Sequence, residues 1–177
     1  MKCKLIDYLK IKSFNTYWDN YGGLKAIFTS PYFIISILFS IIIFTFSDSK
    51  EKWYDMPLSI LPNLLGFSIG AYAVILVLGN GDFWKYIALD KKNNLFMQIN
   101  GSFVHFIFIQ VVTIIFSIIC KTLSLESAPI YFIGITLLIY AILTAFAATL
   151  AILELSKYYQ VFLSKLNDAK TSSQEQQ

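Results

Sequence analysis

The sequence predicts an all-α fold: a polytopic membrane protein with four transmembrane helices and both termini cytoplasmic. Three observations carry this. Hydrophobic residues make up 56% of the 177 and charged residues only 14%, against about 25% charged in an ordinary globular domain. Every charge falls outside four windows, Ala26–Ser47, Met56–Gly81, Asn93–Cys120 and Ser127–Leu153, of 22, 26, 28 and 27 residues. Each window reaches the ~20 apolar residues that cross ~30 Å of hydrocarbon. The third observation is the placement of lysine, the sole basic residue type besides one histidine. Eleven lysines lie in the N-terminal stretch, the middle loop and the C-terminal segment, and three in the other two loops. The positive-inside rule then assigns both termini to the cytoplasm. These numbers exclude a soluble enzyme, a disordered chain and a single-span anchor. Continuous rather than alternating apolar runs argue against a transmembrane β-barrel. The first window lacks a small-residue cleavage pattern and reads as a retained helix.

Residues 1–25 form a cytosolic or interfacial amphipathic segment. Leu5, Ile6, Leu9 and Ile11 mix with lysines, Phe14, Tyr17, Trp18 and Tyr21 follow, and Gly22-Gly23 ends the run. Such a segment is either an interfacial helix with aromatics at headgroup level, or a cytosolic helix that packs with copies of itself or holds a ligand. Ser30-Pro31 starts the first span with a serine cap and a proline in the first turn. That span is apolar all round to about Phe46, the pattern of a lipid-facing scaffold. Trp53 and Tyr54 in the short first loop form an interfacial aromatic belt.

Asp55 caps the second span, with Pro57 in its first turn. Pro62 removes a backbone hydrogen bond and bends this helix. Asn63, Gly66, Gly70 and Ala73 are spaced three, four and three apart and share one face. That face is either a close-packing surface with Asn63 as interhelical glue, or the lining of a pore. In the middle loop, Gly79-Asn80-Gly81-Asp82 is a turn and cap, Phe83–Ile87 a short interfacial helix, and Asp90–Asn94 solvated.

The third span carries the polar load. Ser102, His105, Gln110, Thr113 and Ser117 fit an arc of ~140° on a helical wheel, with Asn100 off it. Polar groups in hydrocarbon need partners or water, so this stripe faces protein or an aqueous path. His105 is the one histidine. It is either a hydrogen-bonded packing residue or a pH-sensing, gating one. Ser127 and Pro129 start the fourth span, where Gly134, Ala141 and Ala148 repeat every seven residues as a small-residue seam. The helix is expected to run from Ala128 to about Leu166, leaving Thr171–Gln177 as a disordered tail. The domain plan is thus an N-terminal segment at 1–25, a membrane domain at 26–159, and a cytosolic helix extension with tail at 160–177.

The chain carries no paired intramembrane carboxylate, no G-x-S-x-G, no H-E-x-x-H and no glycine-rich phosphate loop. It is read as non-enzymatic, with no cofactor and no metal. Cys3 and Cys120 fall on opposite sides of the membrane, so no disulfide forms within one chain. Two polar or small faces, on the second and third spans, exceed what one four-helix unit needs for itself. Several copies around an axis would give each face a role. Asn63, Gly66, Gly70, Ala73, Ser102, His105, Gln110 and Thr113 are the pore or packing candidates, and Glu154 and Lys157 would ring the cytosolic mouth. Without an acidic ring, such a pore would be weakly charge-selective or gated by dewetting.

The run Leu61–Ala73, the stretch Phe103-Val104-His105-Phe106 with Gln110, and Ala147-Ala148-Thr149-Leu150-Ala151 resemble small four-span bacterial inner-membrane proteins, the Hailong-type anti-phage membrane effectors among them. The resemblance covers roughly residues 30–159 and rests on fold hallmarks. It implies a homo-oligomeric ion channel, held shut by a cytosolic nucleotide or oligonucleotide ligand and opened on infection to depolarise the cell. Ligand specificity would lie in the N-terminal segment, where Lys10, Lys12, Tyr17 and Trp18 suit phosphate and base contacts; the same composition suits a membrane interface. The expected function is therefore a homo-oligomeric channel, with a tetramer as the expected count, in the bacterial inner membrane. The alternative is a non-conducting accessory subunit that packs with a larger membrane partner.

Overall fold

Each apolar window is largely helical over its described residues, and of the described prolines and glycines inside them only Pro31 interrupts one; a helix satisfies its own backbone hydrogen bonds. The computed structural model describes residues 12, 15–19, 21–47, 52–78, 81–88 and 95–174. Among these, helices are the regular elements and no strand occurs. In order they are α1 (Gly23–Thr29), α2 (Pro31–Phe46), α3 (Asp55–Leu78), α4 (Gly81–Ala88), α5 (Leu95–Thr122) and α6 (Ala128–Gln174). A further helical stretch at 15–19 precedes α1. Cys3, Lys10 and the loop at 90–94 lie outside the described residues.

The spans α3, α5 and α6 are each long and apolar enough to cross a membrane, and α1 with α2 qualifies as a fourth if the bent pair counts as one. The bend of 52° sits at Ser30-Pro31. Proline disfavours helical geometry at the residue before it, and Ser30 accordingly adopts ψ 128°. With the first window cut there, α2 keeps 16 residues, about 24 Å at 1.5 Å per residue. The serine hydroxyl makes no capping bond; the Ser30 carbonyl instead accepts from the N–H groups of Phe33 and Ile34 at 3.1 Å.

Helix α2 is inside out by the standard of a water-soluble protein. Ile34, Leu38, Phe39, Ile41 and Ile42 are exposed, whereas Ser36 and Ser40 are fully buried. Small residues let helices approach closely in lipid, and both hydroxyls are satisfied on their own helix, donating to Phe33 O and Ser36 O at 2.7 Å. Pro62 sits inside α3 without ending it.

Helix α6 is the hub: α2, α3, α4 and α5 all pack on it, and α3 and α5 pack on each other. Three clusters stack along the bundle. At the α2–α3 loop end, Trp53, Tyr54, Cys120, Tyr131 and Ile135 pack together. In the middle, Leu61, Ile109, Leu138, Tyr140 and Ala141 do so. At the other end, α4 turns Phe83 and Ile87 onto Phe103, Ala148 and Phe162.

Besides the serine cap at Ser30, two expectations differ from the structure here. Trp53 and Tyr54, expected as an interfacial belt, are buried. The Trp53 indole lies against Gly134, where any Cβ would overlap its ring, and its Nε1 donates to Leu125 O at 3.1 Å. The Tyr54 hydroxyl donates to Glu126 Oε1 at 3.1 Å. The C-terminal helix is also longer than expected: α6 has 47 residues and reaches Gln174, so Thr171–Gln174 is helical rather than a disordered tail. No glycine or proline follows Gly134 in the sequence, so nothing local stops the helix. Residues 175–177 lie outside the described residues.

Candidate functional site

His105 lies ten residues into α5 and is fully buried. A neutral imidazole has one donor and one acceptor nitrogen, and both are used. The Tyr17 hydroxyl meets Nδ1 at 2.8 Å and the Tyr140 hydroxyl meets Nε2 at 2.9 Å. Whichever tautomer is present, one phenol donates and the other accepts. The Tyr21 ring stacks on the imidazole, centroids 3.7 Å apart and planes 16° apart. Its hydroxyl lies 3.4 Å from that of Tyr140. Phe33 of α2 meets the Tyr140 ring edge-on at 5.3 Å. One junction therefore joins the N-terminal segment, α2, α5 and α6.

The local sequence explains how the segment reaches it. The helical stretch ends at Gly22, whose φ of 98° is the left-handed conformation that closes a helix and suits glycine; its N–H donates back to Trp18 O at 3.2 Å. Tyr17 and Tyr21 are four apart and so share a face. Burial, with Tyr21 beside it, pushes the Tyr17 phenol up to about 12. Burial raises Tyr21 as well.

The rest of the polar stripe also points into the bundle. Gln110, Thr113 and Ser117 are fully buried and Ser102 half-buried. Gln110 Nε2 donates to Ser68 Oγ of α3 at 2.9 Å, and Thr113 donates to Ile109 O. Gln110 Oε1 and Ser117 Oγ find no hydrogen-bond partner among the described residues. Nearer the α4 end, Tyr72 donates to Asn100 Oδ1 at 2.8 Å. The seam at Gly134, Ala141 and Ala148 is likewise buried within one chain.

The face of α3 that carries Asn63, Gly66, Gly70 and Ala73 points outward, and all four residues are exposed. Nothing lies within 4 Å of the position a Cβ would take at Gly66 or Gly70. The two candidate faces are thus separated: the α5 stripe is enclosed and the α3 face is open. Glu154 and Lys157 are exposed on α6. Of the N-terminal group, Lys12 is exposed, Trp18 half-buried and Tyr17 buried against His105. Sequence reasoning missed Tyr21 and Tyr140 at the junction. Tyr140 did carry a signal: a phenol in mid-window needs a polar partner at that depth. Comparison with known proteins finds no matching family, no similar curated protein and no similar solved structure.

Proposed function

We propose that the chain is a homo-oligomeric channel of the bacterial inner membrane, four-spanning with both termini cytoplasmic, and gated from the cytosolic side. The observation that carries this is the open α3 face. Where α2 turns outward it presents isoleucine, leucine and phenylalanine to lipid; α3 exposes Phe67, Val74 and Val77 too, but sets among them an amide, two glycines and an alanine. Small residues gain little from lipid and leave open space beside the helix, which suits a water-filled lumen where several copies meet. Asn63 suits either an interhelical hydrogen bond or water. Copies arranged around an axis, four in the simplest expectation, would bring these faces together.

Gating from the cytosol is supported by the His105 junction, which seats the N-terminal segment on α5 and α6. The Gln110–Ser68 bond continues the connection to α3. A cytosolic nucleotide or oligonucleotide that moved the segment would act on this chain of contacts. The resemblance to Hailong-type effectors supports the further reading that opening depolarises the cell in anti-phage defence.

The enclosed α5 stripe favours a second reading, the non-conducting accessory subunit, because His105, Gln110 and Thr113 are buried by their own chain and need no pore. Gly66→Leu and Gly70→Leu separate the two. In planar bilayers the purified wild-type oligomer passes unitary currents, and each leucine variant abolishes them with the oligomer mass unchanged. A silent wild type, or variants that dissolve the oligomer, would remove the pore assignment and leave α3 as a packing surface.

A further inference from the structure

Helices α2 and α3 both pack on α6, yet they make no close approach to each other among the described residues. A groove of about 500 Å³ separates them. Its floor is Ile135, Leu138, Ile139 and Ile142 of α6, and its walls carry Ile43 of α2 and Ile60 of α3. Lys52 and Asp55 stand at the loop end, beside Trp53 and Tyr131. From Tyr131 to Ile142 the floor covers eleven residue steps, about 16 Å at 1.5 Å per residue. That is the depth of one leaflet of a ~30 Å core. Deeper in the bundle, Phe33 of α2 and Leu64 of α3 each pack onto the Leu61 and Tyr140 cluster.

We infer that this groove binds one zwitterionic phospholipid of the phosphatidylethanolamine type. The slot is apolar over a single leaflet and polar only at its mouth, which is the form of one acyl chain beneath its headgroup. A helix from a second copy would need a groove running the full height of the bundle. At the mouth the Lys52 ammonium receives the phosphate. The Asp55 carboxylate receives the lipid amine; it is already held by Lys121 Nζ at 2.8 Å and stays half-exposed. Opposite charges three residues apart select a zwitterion over an anionic lipid, whose headgroup brings no positive charge to Asp55. The inference needs the bundle to sit in a bilayer and does not depend on conduction.

Native mass spectrometry tests it on protein extracted in mild detergent from membranes of phosphatidylethanolamine and phosphatidylglycerol. The wild type retains about one phosphatidylethanolamine per protomer. Ile142→Trp, at a site exposed to lipid, fills the slot and lowers retention roughly tenfold, a shift of ~1.4 kcal/mol in affinity, with helicity by circular dichroism preserved. Asp55→Asn takes from Lys121 its carboxylate partner, leaves the groove mouth more positive, and turns the preference toward phosphatidylglycerol. A purely structural role for Asp55 would not reverse headgroup choice. Full retention by a folded Ile142→Trp overturns the inference. So does an unaltered headgroup preference in Asp55→Asn, which also decides the matter if Ile142→Trp fails to fold. A drop in oligomer mass at constant lipid count would assign the groove to a second copy instead.

Discussion

A single imidazole decides where the N-terminal segment sits. Tyr17 and Tyr21 bring it no charge, only two phenols and ring area, and His105 returns one hydrogen bond and one stacked face. Removing a partner from a buried polar atom costs about 1–3 kcal/mol. Tyr17→Phe leaves Nδ1 of His105 unsatisfied and so loosens the segment by that order while the bundle stays folded. A nitroxide at position 12 in a cysteine-free background reports the change as a sharper, more mobile spectrum. The same label reads the phenol's own titration. Tyr17 ionises at 10.0 when free and at about 12 in place, so its raised value marks stability that is present below pH 10 and lost as pH climbs toward 12. Docking should fail across that window in the wild type, with Tyr17→Phe already loose at neutral pH and lacking the Tyr17 step. A label whose mobility is the same in both proteins at pH 7 would show that the hydroxyl contributes nothing to docking.

At the scale of elements, the bundle is keyed by one aromatic on one glycine. The Trp53 ring occupies the space of a Gly134 side chain, and its indole N–H is fixed on Leu125 O, so the ring cannot retreat without losing that bond. Gly134→Ala should therefore cost about 1–3 kcal/mol, the range for forcing extra volume into a packed core, read as a lower midpoint in thermal unfolding in detergent. An unchanged midpoint would mean the loop end yields freely. This pairing also marks the limit of what the sequence made legible. The helices follow from uninterrupted apolar runs, and the starts of α2, α3 and α6 from Ser30-Pro31, Asp55 and Ser127, because those signals are local. Gly134 was read correctly as a place of close approach, but a seven-residue spacing names no partner, and Trp53 looked like an interfacial residue. Ser36 and Ser40 went unremarked in α2 because two serines among isoleucines do not alter its overall apolarity. Tyr17 and His105 are 88 residues apart, and nothing along the chain links them. The face of Asn63, Gly66, Gly70 and Ala73 was legible from spacing alone, since helical periodicity sets it whatever packs against it.

The molecule is asymmetric from end to end, and its lysines predict which way it would point in a membrane. Helix α6 has 47 residues, about 70 Å of rise, so some 40 Å projects beyond a ~30 Å core. That projection carries Glu154, Lys157 and Lys165 on the same side as the N-terminal segment, whereas the turn between α5 and α6 carries Lys121 and little else basic. Translocating the lysine-rich side would oppose the bias that sets topology, eleven lysines against three. The projecting stalk should therefore be cytoplasmic. Single cysteines at Ser124 and Lys165, both exposed, test this in a cysteine-free background with a membrane-impermeant thiol reagent on intact cells. Ser124→Cys should be labelled from outside, and Lys165→Cys only after the membrane is permeabilised. The opposite pattern would invert the bundle and carry the His105 junction to the outer side, so that any ligand acting on the N-terminal segment would have to come from outside the cell. Equal labelling of both sites from outside would require an even number of crossings between them, so that α6 does not span once. With Ser124 outside and Lys165 inside, α6 crosses once, the stalk meets the cytosol, and the segment that Tyr17 and Tyr21 dock lies where a cytosolic ligand can reach it.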